Sequence, residues 1–282
     1  LAGSLAVTLL AGACRRSPEL QPPTVVIGQI TSAIGLDPHL HDEESTHSAL
    51  SHFYERLVAF GPDLDIRPEL AVKWTNPSDT SWRFTLREGV LFHDGTPLNA
   101  EDVVASLKRA ERLPGSRVIH YLRNITRVTA LSSREVEVVT SSPSPLLLNK
   151  LAFVAIVPRS APDRAISRPV GTGPYCFVSG APRETLEGEV FDRYWGPRPA
   201  FARFRVVPLP DARSRAHAIL ERRADVVSRF PFEFTSWTRG RKGMTLASRV
   251  GVGVSFLGFS RREGRPYRDR RDREAFALPL DR

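Results

Sequence analysis

Four of the seven histidines, His39, His41, His47 and His52, lie close together beside the acidic run at 42–44. Imidazole and carboxylate groups are common ligands of zinc and nickel, so the cluster raises the hypothesis of a metal site. On a helix, however, His47 and His52 would lie about 140° apart around the axis and could not converge on one ion. The chain also contains no HExxH motif. We therefore predict no metal site, with His39 and His41 as the remaining weak candidates.

Two other motifs contain residue types that take part in catalysis or phosphate binding. His93 and Asp94 in "HDGTP" could form a catalytic dyad, but Asp-Gly followed by Thr-Pro is a strong turn signal and no GxSxG nucleophile motif accompanies it. Gly171 and Gly173 in "PVGTGPY" suggest a phosphate loop, yet the third glycine and the P-loop lysine are absent. We interpret both motifs as structural turns.

The hydrophobic pattern predicts the elements that carry these motifs. The β-branched run 24–30 is typical of a buried strand, followed by a loop. From Asp42 the apolar residues recur at helical spacing as far as Val58, and Gly-Pro at 61–62 would end that helix. Residues 81–92 alternate between apolar and polar side chains, which predicts a strand.

Further along, Asn99 is a suitable N-cap for a helix whose third residue, Asp102, can complete a capping box. Residues 125–140 predict a β-hairpin turning around "LSSR". The segment 204–227 predicts strand, helix and strand in succession, as in one βαβ unit of an α/β lobe.

Composition sets broad limits on the function. The 282 residues are 41% hydrophobic and 25% charged, as in ordinary globular proteins, and allow two lobes or one large domain. Of the 40 basic residues 36 are arginine, and the formal charge is +9. The arginines are spread along the chain instead of forming a basic stripe interleaved with aromatic residues. We therefore expect no nucleic-acid partner, although a basic interaction module stays open as an alternative.

The N-terminal segment has the pattern of an export signal. Residues 1–13 are apolar or small, too short for a membrane-spanning helix and suited to a signal-peptide h-region. They end at Cys14, which we expect to carry a lipid after cleavage. The Pro-containing segment 14–23 would then be a tether to the outer face of the membrane or the periplasmic side.

Six motifs in order resemble the family 5 solute-binding proteins of ABC transporters, the dipeptide, oligopeptide and nickel group. They begin near residue 25 and continue to the end of the sequence. The motifs are "LDPH…YERLV", "LAVKW…WRFTLREGVLFHDGTPLNAEDVVASLKR", "PVGTGPY", "FDRYWG", "FRVVPLPDARSRAHAILERRADVV" and "FLGFSRREGRPYRDRRDREAFALPLDR".

The resemblance implies an α/β fold of the type II periplasmic-binding-protein class. Lobe I would comprise 24–45 and 165–260, with an inserted α+β subdomain at 46–164. Residues 261–282 would begin a second lobe that is largely missing. The charged groups with which the family anchors peptide termini would lie in that lobe, so none is assigned to a residue of this chain.

The resemblance also implies a function. We expect a non-enzymatic, cofactor-free component of an ABC importer that captures peptides or a similar small solute outside the cytoplasmic membrane and delivers them to permease subunits. A nickel or metal-chelate carrier of the same fold is an alternative. We further expect a truncated copy with weak solute binding.

Two segments are the predicted ligand contacts. Ligands of open α/β lobes bind at loops beyond strand ends, which indicates the loop after the first strand. The strand 254–260 approaches the lobe crossing in the family and could pair with a peptide main chain. The predicted site residues are Thr31, Ser32, Ala33, Ile34, Phe256, Leu257, Phe259 and Ser260.

Overall fold

The computed structural model describes residues 23–248, 259, 262–264 and 266–277. The chain divides into two compact units, residues 1–239 and 240–282. The described part of the first unit is a mixture of helices and sheets, which confirms the predicted α/β class. Cys14, Phe256, Leu257 and Ser260 lie outside the described residues, as do the predicted signal segment and most of the tether.

The described part of the chain contains eleven β-strands. They are β1 (Thr24–Gln29), β2 (Val58–Phe60), β3 (Ile66–Pro68), β4 (Ala71–Ser78), β5 (Ser81–Leu86), β6 (Ile125–Ser132), β7 (Glu135–Thr140), β8 (Tyr175–Ser179), β9 (Leu186–Val190), β10 (Arg203–Pro208) and β11 (Val226–Val227).

Seven α-helices accompany the strands in the described residues. They are α1 (Glu44–Leu50), α2 (Ala100–Arg112), α3 (Ile119–Leu122), α4 (Leu147–Leu151), α5 (Ala212–Leu220), α6 (Thr235–Thr238) and α7 (Arg270–Ala277). Within the described ranges, no helix is both long enough and apolar enough to cross a bilayer.

A five-stranded sheet contains the first strand and the predicted βαβ unit. Its order is β11-β1-β10-β9-β8. β1 pairs in parallel with β10 on one side and with β11 on the other, whereas β9 and β8 continue the sheet in antiparallel pairs. The predicted strand at 24–30 and the strand–helix–strand succession at 204–227 are confirmed, with β1 lying between the two strands of the unit.

A four-stranded antiparallel sheet occupies the middle of the chain, in the order β4-β5-β7-β6. β6 and β7 form the predicted hairpin. On β5, Phe84 and Leu86 are buried while Arg83 is exposed, as the alternating pattern predicts. The strand predicted at 81–92 nevertheless ends at Leu86, because Gly89 has a positive φ of 73° and turns the chain.

Helix α2 covers the inner face of that sheet and begins where the sequence predicts. The Asn99 side chain accepts hydrogen bonds from the backbone N–H groups of Glu101 and Asp102, and the Asp102 carboxylate accepts from the Asn99 N–H. This capping box satisfies helix-terminal donors that would otherwise lack partners. Val103 and Leu107 then bury their side chains in the core of the sheet.

The helix predicted from Asp42 to Val58 was wrong in its second half. α1 ends at Leu50, and Val58–Phe60 instead form strand β2, which pairs with β3. The backbone N–H groups of Leu70 and Ala71 donate to the carbonyl groups of Arg56 and Leu57. Strand pairing with distant residues therefore outweighs the local helical spacing.

The two sheets use different parts of the chain. Strands β4–β7 all lie between residues 71 and 140, and the five-stranded sheet takes its strands from 24–29 and from 175–227. The lobe and subdomain boundaries at 45, 165 and 260 stay predictions. In the second unit, the described residues include α7 and an aromatic cluster in which Phe259 packs against Tyr267 and Phe276.

Candidate functional site

The candidate site lies at the carboxyl ends of the parallel strands β1, β10 and β11. Gln29 is in register with Pro208, and Gly28 with Val227, so the three strands end at the same edge of the sheet. Loops at such an edge are the usual ligand site of an open α/β lobe. Thr31–Ile34, the predicted contact loop, follows β1 directly.

Two hydrogen bonds to backbone groups of the loop hold it in place. The Ala33 carbonyl accepts from the Arg183 N–H at 2.7 Å, and the Ile34 N–H donates to Thr46 Oγ1 at 3.0 Å. Thr31 is exposed, Ile34 is half-buried, and Ser32 and Ala33 are fully buried. Of the four predicted residues, Thr31 therefore presents the most surface to a ligand.

Two buried polar groups at this edge lack hydrogen-bond partners. Ser32 is 0% exposed and its Oγ has no partner within the described structure. Gln29 is 4% exposed; its Nε2 donates to Ser48 Oγ at 3.1 Å, but its Oε1 has no partner there. Leaving a buried polar group without a partner costs about 1–3 kcal/mol.

A surface ion pair lies at the same edge. Arg229, two residues after β11, has a positive φ of 49° and its guanidinium pairs with Glu44 in the first turn of α1. The Ser228 N–H, next to it, donates to the Gly28 carbonyl at 3.0 Å. We call Gln29, Thr31, Ser32, Ser48 and Arg229 the strand-end site.

A buried ion pair supports the loop from behind. Arg109 on α2 donates to Asp37 Oδ2 at 2.6 Å, and both side chains are almost completely buried. The other N–H groups of Arg109 reach Asp37 Oδ1, His39 Nδ1 and the carbonyl groups of Pro162 and Arg164, so all five donors are used. This arrangement fixes the chain just after the contact loop.

The charge of Asp37 follows from the same contacts. Burial alone raises the pKa of a carboxyl group, but hydrogen bonds from Arg109 and from the N–H groups of His39 and Ile166 outweigh it. They hold the pKa of Asp37 below its ordinary value, so this carboxylate stays ionised beside the guanidinium.

His39, one of the two metal candidates, is part of this buried structure. Its Nδ1 accepts from Arg109, so the proton is on Nε2, which donates to the Ala155 carbonyl at 2.9 Å. Burial lowers the pKa of His39 to about 4, so the ring is neutral. Because neither nitrogen has a free lone pair, His39 is unavailable as a metal ligand or a solute contact in this arrangement.

The other clustered histidines also have structural contacts. His41 lies with its Nδ1 4.0 Å from Glu43 Oε2 and packs over Gly35. His47 accepts a hydrogen bond from Arg56 at 3.3 Å, and His52 stacks on Phe204. Among the described residues, no three His, Cys, Asp or Glu side chains are arranged to hold a metal ion.

The "HDG" and "GTG" motifs contact each other. The Gly171 N–H donates a hydrogen bond to His93 Nδ1, and the His93 Nε2–H donates one to the Gly173 carbonyl at 2.9 Å. A Cβ at Gly173 would lie 2.7 Å from the Phe53 carbonyl carbon, so the loop needs glycine to approach that backbone. Asp94 accepts from Thr96 and closes the turn. Both motifs are structural here, as predicted.

Sequence reasoning missed a second buried carboxylate, Glu55. It accepts hydrogen bonds from Tyr194 Oη and Trp195 Nε1, both at 2.9 Å. Burial, with a contribution from nearby Glu69, raises the pKa of Glu55 to about 7. The aromatic pair in "FDRYWG" was the available signal, since a buried Tyr and Trp need acceptors for their polar hydrogens.

Sequence reasoning also missed Gln29, Ser48 and Arg229. The pairing of β1 with β11 places Gln29 near Arg229, and a hydrogen bond from Gln29 connects it to Ser48 on α1. Phe259, a predicted ligand contact, lies in the aromatic cluster of the second unit. Its role as a contact stays a prediction.

The sequence of this chain matches one known protein family. A profile described as bacterial extracellular solute-binding proteins, family 5, middle region, matches residues 65–282. This chain belongs to family 5. The predicted resemblance is therefore confirmed, and members of family 5 are solute-binding proteins.

Relatives within family 5 bind different small molecules. The glutathione-binding protein GsiB of Salmonella typhimurium is 25% identical over 290 residues, which cover 99% of this chain and 56% of the relative. The nickel-binding periplasmic protein of Escherichia coli K12 is 31% identical over 196 residues, 65% of this chain and 37% of the relative. The chain thus spans about half the length of the relatives it matches.

Solved structures of the same type agree with the fold. A nickel ABC transporter protein from Bacillus halodurans superposes with a TM-score of 0.70 at 28% identity, covering 78% of this chain and 46% of that protein. The dipeptide-binding protein of Pseudoalteromonas sp. SM9913, at 21% identity over 78% of this chain and 50% of that protein, has a TM-score of 0.70 and shows the fold alone. The structure is therefore part of a periplasmic-binding-protein-like fold.

Proposed function

We propose that this chain belongs to the substrate-binding component of an ABC importer and that the strand-end site contacts a peptide or a similar small solute. The observation that carries the proposal is the pair of buried polar atoms without partners, Ser32 Oγ and Gln29 Oε1. Ser32 lies in the loop that the sequence predicts as a ligand contact, and Gln29 is the last residue of the strand before it. An amide N–H and C=O of a peptide would supply the missing donor and acceptor.

The remaining parts of the proposal follow from the family. The solute would pass to permease subunits in the cytoplasmic membrane, and the chain would work on the outer side of that membrane. Residues 1–13 would direct export and Cys14 would carry a lipid anchor. Phe256, Leu257, Phe259 and Ser260 would form the second set of solute contacts.

Because the strand-end site covers one side of a solute, we expect binding by this chain alone to be weak. Small-ligand sites normally bury about 70–90% of the ligand surface. Isothermal titration with a pool of short peptides should therefore give no micromolar binding. Micromolar affinity would contradict this part of the proposal.

An NMR titration of the ¹⁵N-labelled chain tests the site itself. Glutathione and the dipeptide Met-Leu, each at millimolar concentration, should shift the Gln29 side-chain amide and the backbone amides of Ser32 and Ile34. Ser32→Ala should reduce these shifts while leaving thermal unfolding unchanged or slightly raised, because it removes a hydroxyl that lacks a partner. The matched control is Ser142→Ala, at an exposed position away from the site.

Shifts that are absent, spread over the whole surface, or equal in Ser32→Ala and Ser142→Ala would contradict the proposal. The same titration with a nickel–histidine chelate examines the alternative suggested by the nickel-binding relatives. If chelate binding depends on His41, a His41→Ala variant will lose it. A DNA mobility shift with steep salt dependence would instead favour the basic interaction module.

A further inference from the structure

A groove runs between helix α2 and strand β6, at the edge of the four-stranded sheet opposite β4. One wall is a helical stripe that includes Val104, Ala105, Lys108 and Arg112, and the other is the strand segment 127–130. Its volume is about 580 Å³. We call it the α2–β6 groove.

A second hollow continues the groove. It has a volume of about 280 Å³ and lies along residues 125–128, sharing Lys108, Arg127 and Val128 with the first. Together the two hollows follow β6 for six residues, which is about 20 Å of extended strand. This length fits an extended peptide segment better than a compact small molecule.

The groove exposes the backbone of an edge strand. β6 pairs with β7 on one side and has no strand neighbour on the other among the described residues. The Thr140 N–H on β7 donates to the Thr80 carbonyl and so points away from β6. Every second residue of β7 has the same orientation, because backbone groups alternate sides along a strand. The residues of β6 opposite them, Val128 and Ala130, therefore direct their backbone groups to the outer edge. Unpaired edge groups of this kind are templates for an added strand.

The side chains of the groove combine an apolar floor with a basic rim. Val104 and Ala105 on the helix and Val128 and Ala130 on the strand are half-buried. Lys108 is exposed and has no ion-pair partner in the described part of the chain. These features suit a bound strand whose side chains alternate, with apolar ones against the floor of the groove and acidic ones at its rim.

Three basic and two acidic side chains line the rim. Arg112 and Arg127 accompany Lys108 and are joined to Asp163 and Glu137 only by exposed or partly exposed ion pairs. The two acidic side chains in the groove are Glu101 and Glu111. Glu101 is already paired with Arg159. A second copy of this chain would be a poor occupant, because its β6 would bring another Arg127 and no acidic side chain.

We propose that the α2–β6 groove docks an extended segment of a partner protein that carries acidic side chains, by adding a strand to β6. Main-chain hydrogen bonds to Val128 and Ala130 would align the segment. Its apolar side chains would contact the floor and its acids would meet Lys108 and Arg127. A strand added beside a helix is a recurrent way of binding extended peptides. This inference does not depend on the strand-end site.

Fluorescence anisotropy with the full chain tests the docking. The probe is a fluorescein-labelled heptapeptide, acetyl-Val-Glu-Val-Thr-Val-Glu-Val-amide, and its counterpart has lysine in place of glutamate. The capped ends exclude recognition through free termini, by which a peptide solute would be held. We expect saturable binding of the acidic probe and none of the basic one.

Charge-reversal variants locate the site. Lys108→Glu should weaken binding of the acidic probe roughly fivefold, the effect of losing about one exposed ion pair and gaining repulsion. The matched control, Lys73→Glu, reverses an exposed lysine on β4 at the opposite edge of the same sheet and should leave binding unchanged. Both substitutions lie at exposed positions, and thermal unfolding checks that each variant is folded.

Amide shifts provide the decisive readout. The acidic probe should shift the backbone N–H signals of Val128 and Ala130. Shifts at residues 29–34 instead would assign the peptide to the strand-end site and overturn the docking proposal. Equal binding of both probes, equal effects of Lys108→Glu and Lys73→Glu, or no saturable binding would overturn it as well.

Discussion

At the scale of single residues, the partners of a buried carboxylate decide whether it keeps its charge. Asp37 faces the fully engaged guanidinium of Arg109 and stays ionised. Glu55 instead accepts from two neutral donors, Tyr194 and Trp195, and burial raises its pKa to about 7. The two carboxylates should therefore respond differently to substitution and to pH.

Asp37→Asn should lower the free energy of unfolding by about 3–5 kcal/mol, because it leaves the Arg109 charge buried without its counterion. The control, Asp163→Asn, removes the partner of Arg112 one turn further along α2, where both side chains are about 60% exposed. Such a pair contributes about 0–1 kcal/mol. Urea unfolding of both variants measures the difference, and equal small losses would show that Asp37 contributes little.

Glu55→Gln should change how stability depends on pH. The pKa of Glu55 is raised from 4.5 to about 7, so between these values the folded chain holds a proton that the unfolded chain releases. The free energy of unfolding should therefore fall as pH rises through this range, by roughly 3 kcal/mol in total for this group. Glutamine cannot ionise, so the variant should lack this fall.

Other titratable groups lie near Glu55, so its contribution is measured as the difference in stability between the variant and the parent chain at each pH. Glu69, Arg56 and Tyr194 lie close to Glu55, and His39 titrates with the opposite sign because its pKa is lowered. Subtracting the stability curve of the parent chain cancels groups that are unchanged in the variant. As a control, Glu88→Gln at an 80% exposed side chain should keep the parent's slope.

How much of the site was predictable also depends on the residue. The loop at 31–34 was placed beyond a strand end because a β-branched run ending in a loop marks such an end, and β1 does end at Gln29. Gln29 and Arg229 were not, because their proximity arises from the pairing of strands far apart in sequence. His39 looked like a ligand because spacing does not reveal that Arg109 occupies its ring nitrogen.

At the scale of elements, local signals predicted some boundaries well and others badly. Asn99 and Asp102 determine the start of helix α2. The hairpin β6–β7 was predictable from the short-range alternation of apolar and polar side chains. Helix α1 instead ended early because residues 56–60 take part in strand pairing. Sequence patterns thus predicted elements whose stabilising contacts are local, and failed where distant partners compete.

Asn99→Ala tests the cap of α2. Alanine cannot accept the hydrogen bonds from Glu101 and Asp102, so the free energy of unfolding should fall by about 1 kcal/mol. Asn99→Ser retains a capping oxygen and should lose only a small part of this. Thermal or urea unfolding compares the three chains, and an alanine variant as stable as the serine variant would refute the role of the cap.

At the scale of the whole molecule, two sheets with different sequence ranges share one chain. The four-stranded sheet takes its strands from a continuous stretch, whereas the five-stranded sheet joins β1 to strands near the other end of the first unit. Composition predicted a globular protein but gave no information on this difference. It emerged from ordered motifs and from the strand pairing itself.

The position of β1 between β10 and β11 has a consequence for how the chain acquires its structure. Thr24 pairs with Arg203, about 180 residues away, whereas Ser81 pairs with Val139, about 60 residues away. During synthesis at roughly 5–20 residues per second, β1 would wait about 10–35 s for its neighbour. Pulsed hydrogen exchange during refolding should protect the amides of Phe84 and Val138 before that of Val26, because distant pairings form slowly.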